Sequence, residues 1–321
     1  MKAIRVDQTG GPEVMRVWEV DTPQPKPGEV RLRLEAIGVN FLDVYHRTGL
    51  YPLDLPFTPG VEGAGEVEEI GPGVRAFVPG DRVAWTMHPG AYAEYAVVPE
   101  QKLIPLPENI SYMQAAAVLL QGMTVHYLIK GTYFVKEKDK VLIHAAAGGV
   151  GRLLVQACKH LGAVVIGTAS TPEKIAIALE AGADHMINYA TKDFLEEVKR
   201  ITSNEGVHVV YDSVGKSTFE KSLACLRPRG LLALFGQSSG PVPPFSPFLL
   251  ARNSLFLTRP SLAHYTAARD ELLQRSSEVF RWAQSGVIKI RIDQTFPLSD
   301  AQQAHQHLES RESKGKLLLL P

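Results

Sequence analysis

The amino-acid sequence predicts two domains of different class: a β domain with an antiparallel, partly closed barrel sheet made from both ends of the chain, and a doubly wound parallel α/β sheet nested between them. Three observations carry this expectation. The chain has 321 residues, too many for one small core when domains commonly hold roughly 100 to 200. Its first third is a series of short alternating runs bounded by Pro and Gly, the pattern of an antiparallel sheet. From about Gly122 the rhythm changes to short apolar runs, most of them separated by helix patterns, as in parallel strands covered on both faces.

Taken in order, "MKAIRVDQTGGPEV" alternates apolar and polar residues like a first strand, and "KPGEVRLRLEAIGVN", "GAGEVEEIGPGVRAFVPGDRVAW" and "GAYAEYAVVP" continue the antiparallel series. Next, "KVLIHAAA", "AVVIGTAS", "HMINYA", "VHVVYDSVG", "GLLALFGQ" and "SLFLTRPS" read as the parallel strands. After about Tyr265 come a long helix pattern, "AARDELLQRSSEVFRWAQSG", an apolar run "VIKIRI", a capped helix from Ser299 and a last strand "KLLLLP". These pieces do not extend the α/β series, so they are assigned back to the first domain. The expected division is 1–122 with 266–321 around 123–265. The run "GLLALFG" is a candidate edge strand for pairing with a second copy.

Composition narrows the partners. Lys plus Arg and Asp plus Glu number 34 each, so no net field recruits nucleic acid or an anionic membrane. The start of the chain lacks the apolar core of a signal peptide, and no run approaches the roughly 18 residues of a membrane span. A cytoplasmic protein without a membrane span or nucleic-acid partner is expected.

The central motif is "HAAAGGVG", between the apolar "VLI" and the helical "RLLVQACKHLGA". Ala146, Gly148 and Gly151 take the three small positions of G-x-G-x-x-G, after a strand and before a helix, the setting in which that fingerprint signifies a dinucleotide. Alanine at the first position requires a turn that avoids positive φ there. The helix N-terminus supplies N–H groups and a positive dipole end to phosphates. An NAD site wants an acid near the end of the second strand. Here Ala169 and Ser170 stand in its place, Thr171 reads as an N-cap, Pro172 as the first helical residue, and Lys174 lies in the first turn, against the helix dipole, where it points to a nearby anion, with a solvated surface lysine as the alternative. The cofactor expected is therefore NADPH, with Tyr189 a candidate flank for the adenosine.

Other chemistries lack their residues. Cys158 and Cys225 are far apart, each in a helical pattern, and read as buried small hydrophobes. His305 and His307, two apart on one helix, point to different faces rather than to one metal. No Ser–His–Asp or Cys–His constellation is discernible.

Taken together, "GGPEVM", "GVNFLDVYHRTGLYP", "PGVEGAGEV", "GAYAEYAVVP", "AAAVLLQGMTVHYLI", "HAAAGGVG", "VVYDSVG", "TRPSL" and "ESRESKGKLLLLP" make the chain resemble, end to end, the zinc-free quinone oxidoreductases related to zeta-crystallin, within the medium-chain dehydrogenase/reductase superfamily. The resemblance implies a GroES-like catalytic domain around a nested Rossmann domain, and a homodimer. Zinc enzymes of that superfamily carry an early catalytic Cys and a Gly-His-Glu segment. This chain has Asn40 near the first place and Gly60-Val61-Glu62 at the second, so the Lewis acid that alcohol oxidation needs is not encoded. The resemblance places Asn40, Asp43, Tyr45 and Tyr51 at the nicotinamide and acceptor, and Gln121 to Thr124 at the hinge with Thr124 near the nicotinamide. It gives Ala147, Gly148, Gly149 and Val150 to the pyrophosphate, and Thr168, Ser170, Lys174 and Tyr189 to the 2'-phosphate end. Ser213, Phe235, Gly236, Ser238, Arg259 and Ser261 close over the nicotinamide side, with Arg311 a late cofactor contact.

The expected activity is NADPH-dependent reduction of a small-molecule quinone, by hydride or electrons, without metal or flavin. The rivals are an NADPH-dependent alkenal/enone reductase and a non-catalytic, crystallin-like NADPH-binding protein. For the tyrosines, positioning is favoured over proton transfer, since a phenol titrates near ~10. Glu62, among glycines, reads as a structural acceptor.

Overall fold

A computed structural model describes residues 1–310 and 312–321. The chain divides into two compact units, one of Met1–Leu120, Ala267–Arg281 and Ile290–Pro321, the other of Gln121–Thr266 and Trp282–Lys289.

The first unit is organised around the strand Glu29–Val39. Its burial alternates at first and then becomes continuous, so its beginning has one dry face and its end has two. Along one edge it pairs antiparallel with Glu62–Ile70, with register shifts between Arg31 and Leu32 and between Leu34 and Ala36. Along its other edge Glu29–Arg33 pair with Tyr95–Pro99, and Ile37–Val39 pair with the C-terminal strand Lys316–Leu320. Such irregularities bend a strand and let a sheet curl into a partly closed barrel. Arg82–Thr86 and Ile104–Pro105 extend one end of the sheet, and Ile292–Pro297 lies outside the C-terminal strand. Ile4, Leu32, Ile37, Trp85, Tyr92 and Leu103 lie at the centre of the core.

The second unit is a six-stranded sheet in the order His185–Asn188, Val164–Ala169, Lys140–Ile143, Val207–Asp212, Leu226–Leu234, Phe256–Thr258. All of its pairs are parallel. Strand order reverses between Lys140–Ile143 and Val207–Asp212, the point at which doubly wound sheets open a crevice for a ligand. Leu142, Ile166, Val198, Val210 and Leu232 fill its core. This is the GroES-like and Rossmann pair of the medium-chain dehydrogenase fold.

One local expectation needs correction. The run "GLLALFG" is not an edge: it belongs to Leu226–Leu234, which has a neighbour on each side, and the edges are Phe256–Thr258 on that side and His185–Asn188 on the other. The order of parallel strands depends on crossover connections, which an apolar run does not encode. Within "VIKIRI" only Ile292 begins a strand. Ahead of it Lys289 is held against the helix Gly149–His160, its N–H donated to Gln156 (2.6 Å) and its carbonyl bound by Arg152 (2.8 Å).

Both cysteines are free and buried, Cys158 within that helix and Cys225 capping Phe219–Ala224 rather than inside it. Burial raises both thiols, that of Cys225 up to about 12, so neither is a thiolate at neutral pH. No helix among the described residues is long and apolar enough to cross a membrane.

Candidate functional site

The cradle of the second unit explains its small residues one at a time. After the strand Lys140–Ile143 the chain turns through Ala145, whose φ of 51° is left-handed. Ala146, at the first fingerprint position, is not left-handed. It is fully buried, and a Cβ on Gly167 of the neighbouring strand would come within 2.7 Å of its own. Packing therefore sets the size of residue 146. At Gly151 an added Cβ would lie 2.1 Å from the carbonyl oxygen of Ala145, which helix-against-strand packing forbids. Gly148 is different: a Cβ there would meet only Ala145 O, at 3.2 Å. Gly148 is the N-cap of the helix Gly149–His160, and no side chain caps that end. Gly148, Gly149 and Val150 are half-buried, with Ala147 buried beneath them. A glycine far less hemmed in by the protein than Gly151, at an uncapped helix N-terminus, suits close approach of a pyrophosphate. Gln121 reaches the same place, its side-chain amide within 2.4–2.7 Å of where a Gly149 Cβ would be.

Below the cradle lies a buried polar network that the sequence did not disclose. His144 Nδ1 pairs with Thr168 Oγ1 (3.0 Å) and Nε2 with Ser222 Oγ (2.9 Å). Ser222 donates to Asp212 Oδ2 (2.9 Å), as does Thr218 (2.7 Å), and Asp212 Oδ1 accepts the N–H groups of Val214 and Gly215. Burial lowers the His144 pKa, so the ring is neutral. Ser, His and Asp occur together here, yet the serine is fully buried and its proton is directed at the aspartate. The network fastens three neighbouring strand ends rather than generating a nucleophile. Thr168 is part of it, buried with its hydroxyl on His144.

At the end of the second strand Ala169 is buried and Ser170 half-buried, and Tyr189 donates its N–H to Ala169 O (3.1 Å). Thr171 caps the next helix by accepting from Lys174 N (3.3 Å), with Pro172 behind it. Ser170, Lys174 and Tyr189 thus share one strand end. Exposed Glu173 places an acid in the same first turn. On the other side of the crevice, Ser238 N donates to Ser213 O (3.1 Å), and a Cβ on Gly236 would lie 2.6 Å from that carbonyl. Phe235 N bonds Asp212 O (2.9 Å), and Arg259 Nη1 holds Leu234 O (2.9 Å), with Ser261 capping the helix Leu262–Tyr265. Thr124 is buried in the helix Tyr112–Tyr127. Arg311 lies outside the described residues.

In the first unit the four residues expected at the acceptor separate onto two faces. The helix Phe41–Arg47 buries Asp43, Val44 and Arg47, the i, i+1, i+4 set that follows Asn40 on one side. Asn40 is engaged from every direction: Nδ2 donates to Gly38 O (3.2 Å) and Glu62 Oε2 (2.9 Å), and Oδ1 accepts from Lys316 Nζ (2.7 Å). Lys316 also pairs with Glu62 Oε2 at 2.6 Å, both side chains being essentially without solvent exposure. Glu62 Oε1 accepts Leu120 N–H (2.7 Å). Asn40 is thus a strut for a buried ion pair, with no amide hydrogen left for an acceptor. Near the places of the early Cys and the Gly-His-Glu segment of the zinc enzymes, this chain has the Asn40 amide and the Glu62 carboxylate, both bound to the Lys316 ammonium. Among the described residues no three His, Cys, Asp or Glu side chains are grouped to hold a metal.

Asp43 faces the same interior. Its Oδ2 accepts Asn40 N–H (2.9 Å) and Tyr92 OH (3.0 Å), so it caps the helix and orients a tyrosine, though Tyr92 rather than Tyr45 or Tyr51. Tyr92 also meets His305 Nε2 (3.0 Å), whose Nδ1 meets Arg47 Nη1 (2.9 Å); Arg47 in turn pairs with Glu309 (2.8 Å). His307, on the other face of the helix Ala301–Glu309, pairs with Asp293 (3.2 Å). Arginine only donates, so the His305 proton is on Nε2 and every hydrogen in the chain points toward Asp43.

Burial, offset in part by these bonds, raises the Asp43 pKa to about 7. The folded protein therefore holds a proton, between about pH 4 and pH 7, that the unfolded chain has released, and stability falls as pH rises through that window. Burial and then Arg47 lower His305 to about 3, which acts with the opposite sign below its ordinary value of 6.5. The two partly cancel in the wild type, so the observable is a difference. The stability of Asp43→Asn relative to wild type should rise by about 3 kcal/mol between pH 5 and pH 8. Urea denaturation at the two pH values checks it, and a constant difference would contradict the assignment.

Tyr45 and Tyr51 lie on the outer face, half-buried and exposed, with ring centroids 5.3 Å apart in an edge-on arrangement. Phe41 adjoins Tyr45 at 6.3 Å.

Comparison with known proteins agrees with this architecture. The family described as zinc-binding dehydrogenase matches residues 149–278, and the alcohol dehydrogenase GroES-like domain matches residues 26–108. The chain is 47% identical to 2-haloacrylate reductase of a Burkholderia species, with 98% of each chain covered. It is 46% identical to quinone oxidoreductase 1 of Escherichia coli, with 99% of each covered. The crystal structure of Escherichia coli quinone oxidoreductase complexed with NADPH superposes with a TM-score of 0.98 at 45% identity over the whole of both chains. With its cradle, the buried Asn40–Glu62–Lys316 cluster and this likeness along its full length, the chain belongs to the zinc-free quinone oxidoreductase family of the medium-chain dehydrogenases/reductases.

Proposed function

We propose that the protein is an NADPH:quinone oxidoreductase. The observation that carries the reading is the cradle at the switch point of the parallel sheet, where a Cβ on Gly148 would meet a single protein atom, Ala145 O at 3.2 Å, and the neighbouring strand ends in Ala169 rather than an acid. Likeness to quinone oxidoreductases and to an NADPH complex supports it. When bound, NADPH supplies the hydride or electrons, and a quinone accepts them without a metal to polarise it.

The chain's own residues then have distinct tasks. Gly149 and Val150 present backbone N–H groups to the pyrophosphate, while Gly148, whose own N–H is donated to Ala145 O (2.9 Å), leaves room for its approach. Ser170 and Lys174 receive the 2'-phosphate, and the absence of a carboxylate at residue 169 avoids repelling it. Thr168 acts through His144, by fixing the strand that carries Ser170. Gln121, Thr124, Ser213, Phe235, Gly236, Ser238, Arg259 and Ser261 serve the nicotinamide side. Tyr45 and Tyr51 position the acceptor, whereas Asn40 and Asp43 support them from within. The catalytic work is proximity and orientation. Domains 1–122 with 266–321 and 123–265 divide these tasks between acceptor and cofactor. We place the protein in the cytoplasm as a homodimer paired through the edge strand Phe256–Thr258; a monomer by light scattering would remove that surface.

Loss of nicotinamide absorbance, followed with NADPH or NADH and with a benzoquinone, a bulky ortho-quinone or an enone, tests the activity. NADPH-specific quinone turnover, indifferent to chelator, is expected. Turnover of the enone alone would transfer the reading to alkenal/enone reduction, and binding without turnover of any acceptor to a crystallin-like role. Lys174→Ala should raise KM for NADPH about tenfold and leave that for NADH within twofold. Equal effects on both would remove Lys174 from the 2'-phosphate.

A further inference from the structure

His46 shares the outer face of the helix Phe41–Arg47 with Tyr45, and no role has yet been given to it. Its ring centroid is 6.5 Å from that of Tyr51, so Phe41, Tyr45, Tyr51 and His46 form a continuous run of four partly exposed rings. Such a shelf offers apolar faces and edges to a flat conjugated ring. Stacking alone leaves the carbonyl oxygens of a quinone without the donors they had in water, so a site of this kind gains from one directed N–H or O–H.

His46 has the features of that donor. Its Nδ1 is sealed from solvent and has no hydrogen-bond partner among the described residues, while Nε2 is not sealed. A proton on Nδ1 would be a buried, unpaired N–H, which is costlier than a buried lone pair. The neutral ring therefore carries its proton on Nε2, the nitrogen that meets the surface. Burial lowers the His46 pKa, which keeps the ring neutral at neutral pH. The result is a donor with one tautomer and one outward direction, beside the two tyrosines of the acceptor shelf.

We propose that His46 Nε2–H donates a hydrogen bond to a carbonyl oxygen of the quinone resting on the shelf, and so tunes this chain toward acceptors with a carbonyl at the ring edge. The proposal rests on the quinone-reductase reading. As that oxygen gains negative charge the bond strengthens, so the contact favours the reduced side of the reaction over mere docking. No proton leaves His46; the one that completes the hydroquinone comes from water.

The test compares wild type, His46→Phe and His46→Gln with 1,4-benzoquinone at saturating NADPH, alongside NADPH affinity from nicotinamide fluorescence. His46→Phe keeps an aromatic ring and loses the donor, and kcat/KM for benzoquinone should fall about tenfold. His46→Gln keeps an N–H at the reach of Nε2 and should stay within about threefold of wild type. NADPH affinity should be unchanged in both. Equal losses in the two variants, or full activity of His46→Phe, would overturn the donor role. Wild type that binds NADPH but does not reduce benzoquinone would instead overturn the quinone reading, and the role of His46 with it.

Discussion

Gly151→Ala is expected to cost about 3 kcal/mol or more of stability, because its new methyl would be driven into the Ala145 carbonyl at 2.1 Å and neither backbone can yield cheaply. Gly148→Ala, three residues away in the same fingerprint, should lose much less stability, about 1 kcal/mol or under, since its methyl meets only one oxygen at 3.2 Å, which has to give by a few tenths of an ångström. Its cost should appear in NADPH binding, with Kd rising at least about tenfold. Thermal unfolding without cofactor, followed by titration with NADPH, separates the two. If both variants lost stability alike, the glycine at residue 148 would be a packing residue and the cradle argument would lose its main support.

Lys316→Met should be comparably damaging, by about 3–5 kcal/mol. It leaves Glu62 charged, with its side chain fully buried, and leaves Asn40 Oδ1 without its donor. Adding Glu62→Gln to Lys316→Met should recover part of the loss, because the double variant buries no net charge. Urea denaturation of the single and double variants is the measurement. A single variant within about 1 kcal/mol of wild type would show that the pair is not the keystone of its cluster.

Much of this was legible in the sequence. The cradle is local: strand, small residues and helix follow one another, so "HAAAGGVG" could be interpreted in place, down to the requirement that residue 146 avoid positive φ. The left-handed residue next to it, Ala145, carries no such signal, since alanine seldom adopts that conformation. The acceptor half was harder to read. Asn40, Asp43 and Arg47 are one inner stripe of a short helix, but a stripe containing an acid and a base looks like a surface. Its dry character comes from Tyr92, His305, Glu62 and Lys316, which are 22 to 276 residues away from Asn40 or its neighbours along the chain. His144 and Asp212 likewise meet only through Ser222, from another strand-to-helix segment. The order of parallel strands, and hence which one forms the edge, is also set by long crossovers.

The cluster around Lys316 also has a meaning in the order of synthesis. Asn40 and Glu62 leave the ribosome early, and the ammonium that neutralises their buried site follows 254 residues after Glu62. In between, the whole of Gln121–Thr266 has been made, a stretch that has all six strands of its own sheet. The unit whose residues appear first is thus the one completed last. A ribosome stalled shortly before Lys316 would carry a nested unit with its sheet in hand, and an outer unit still holding an unpaired charge in its interior.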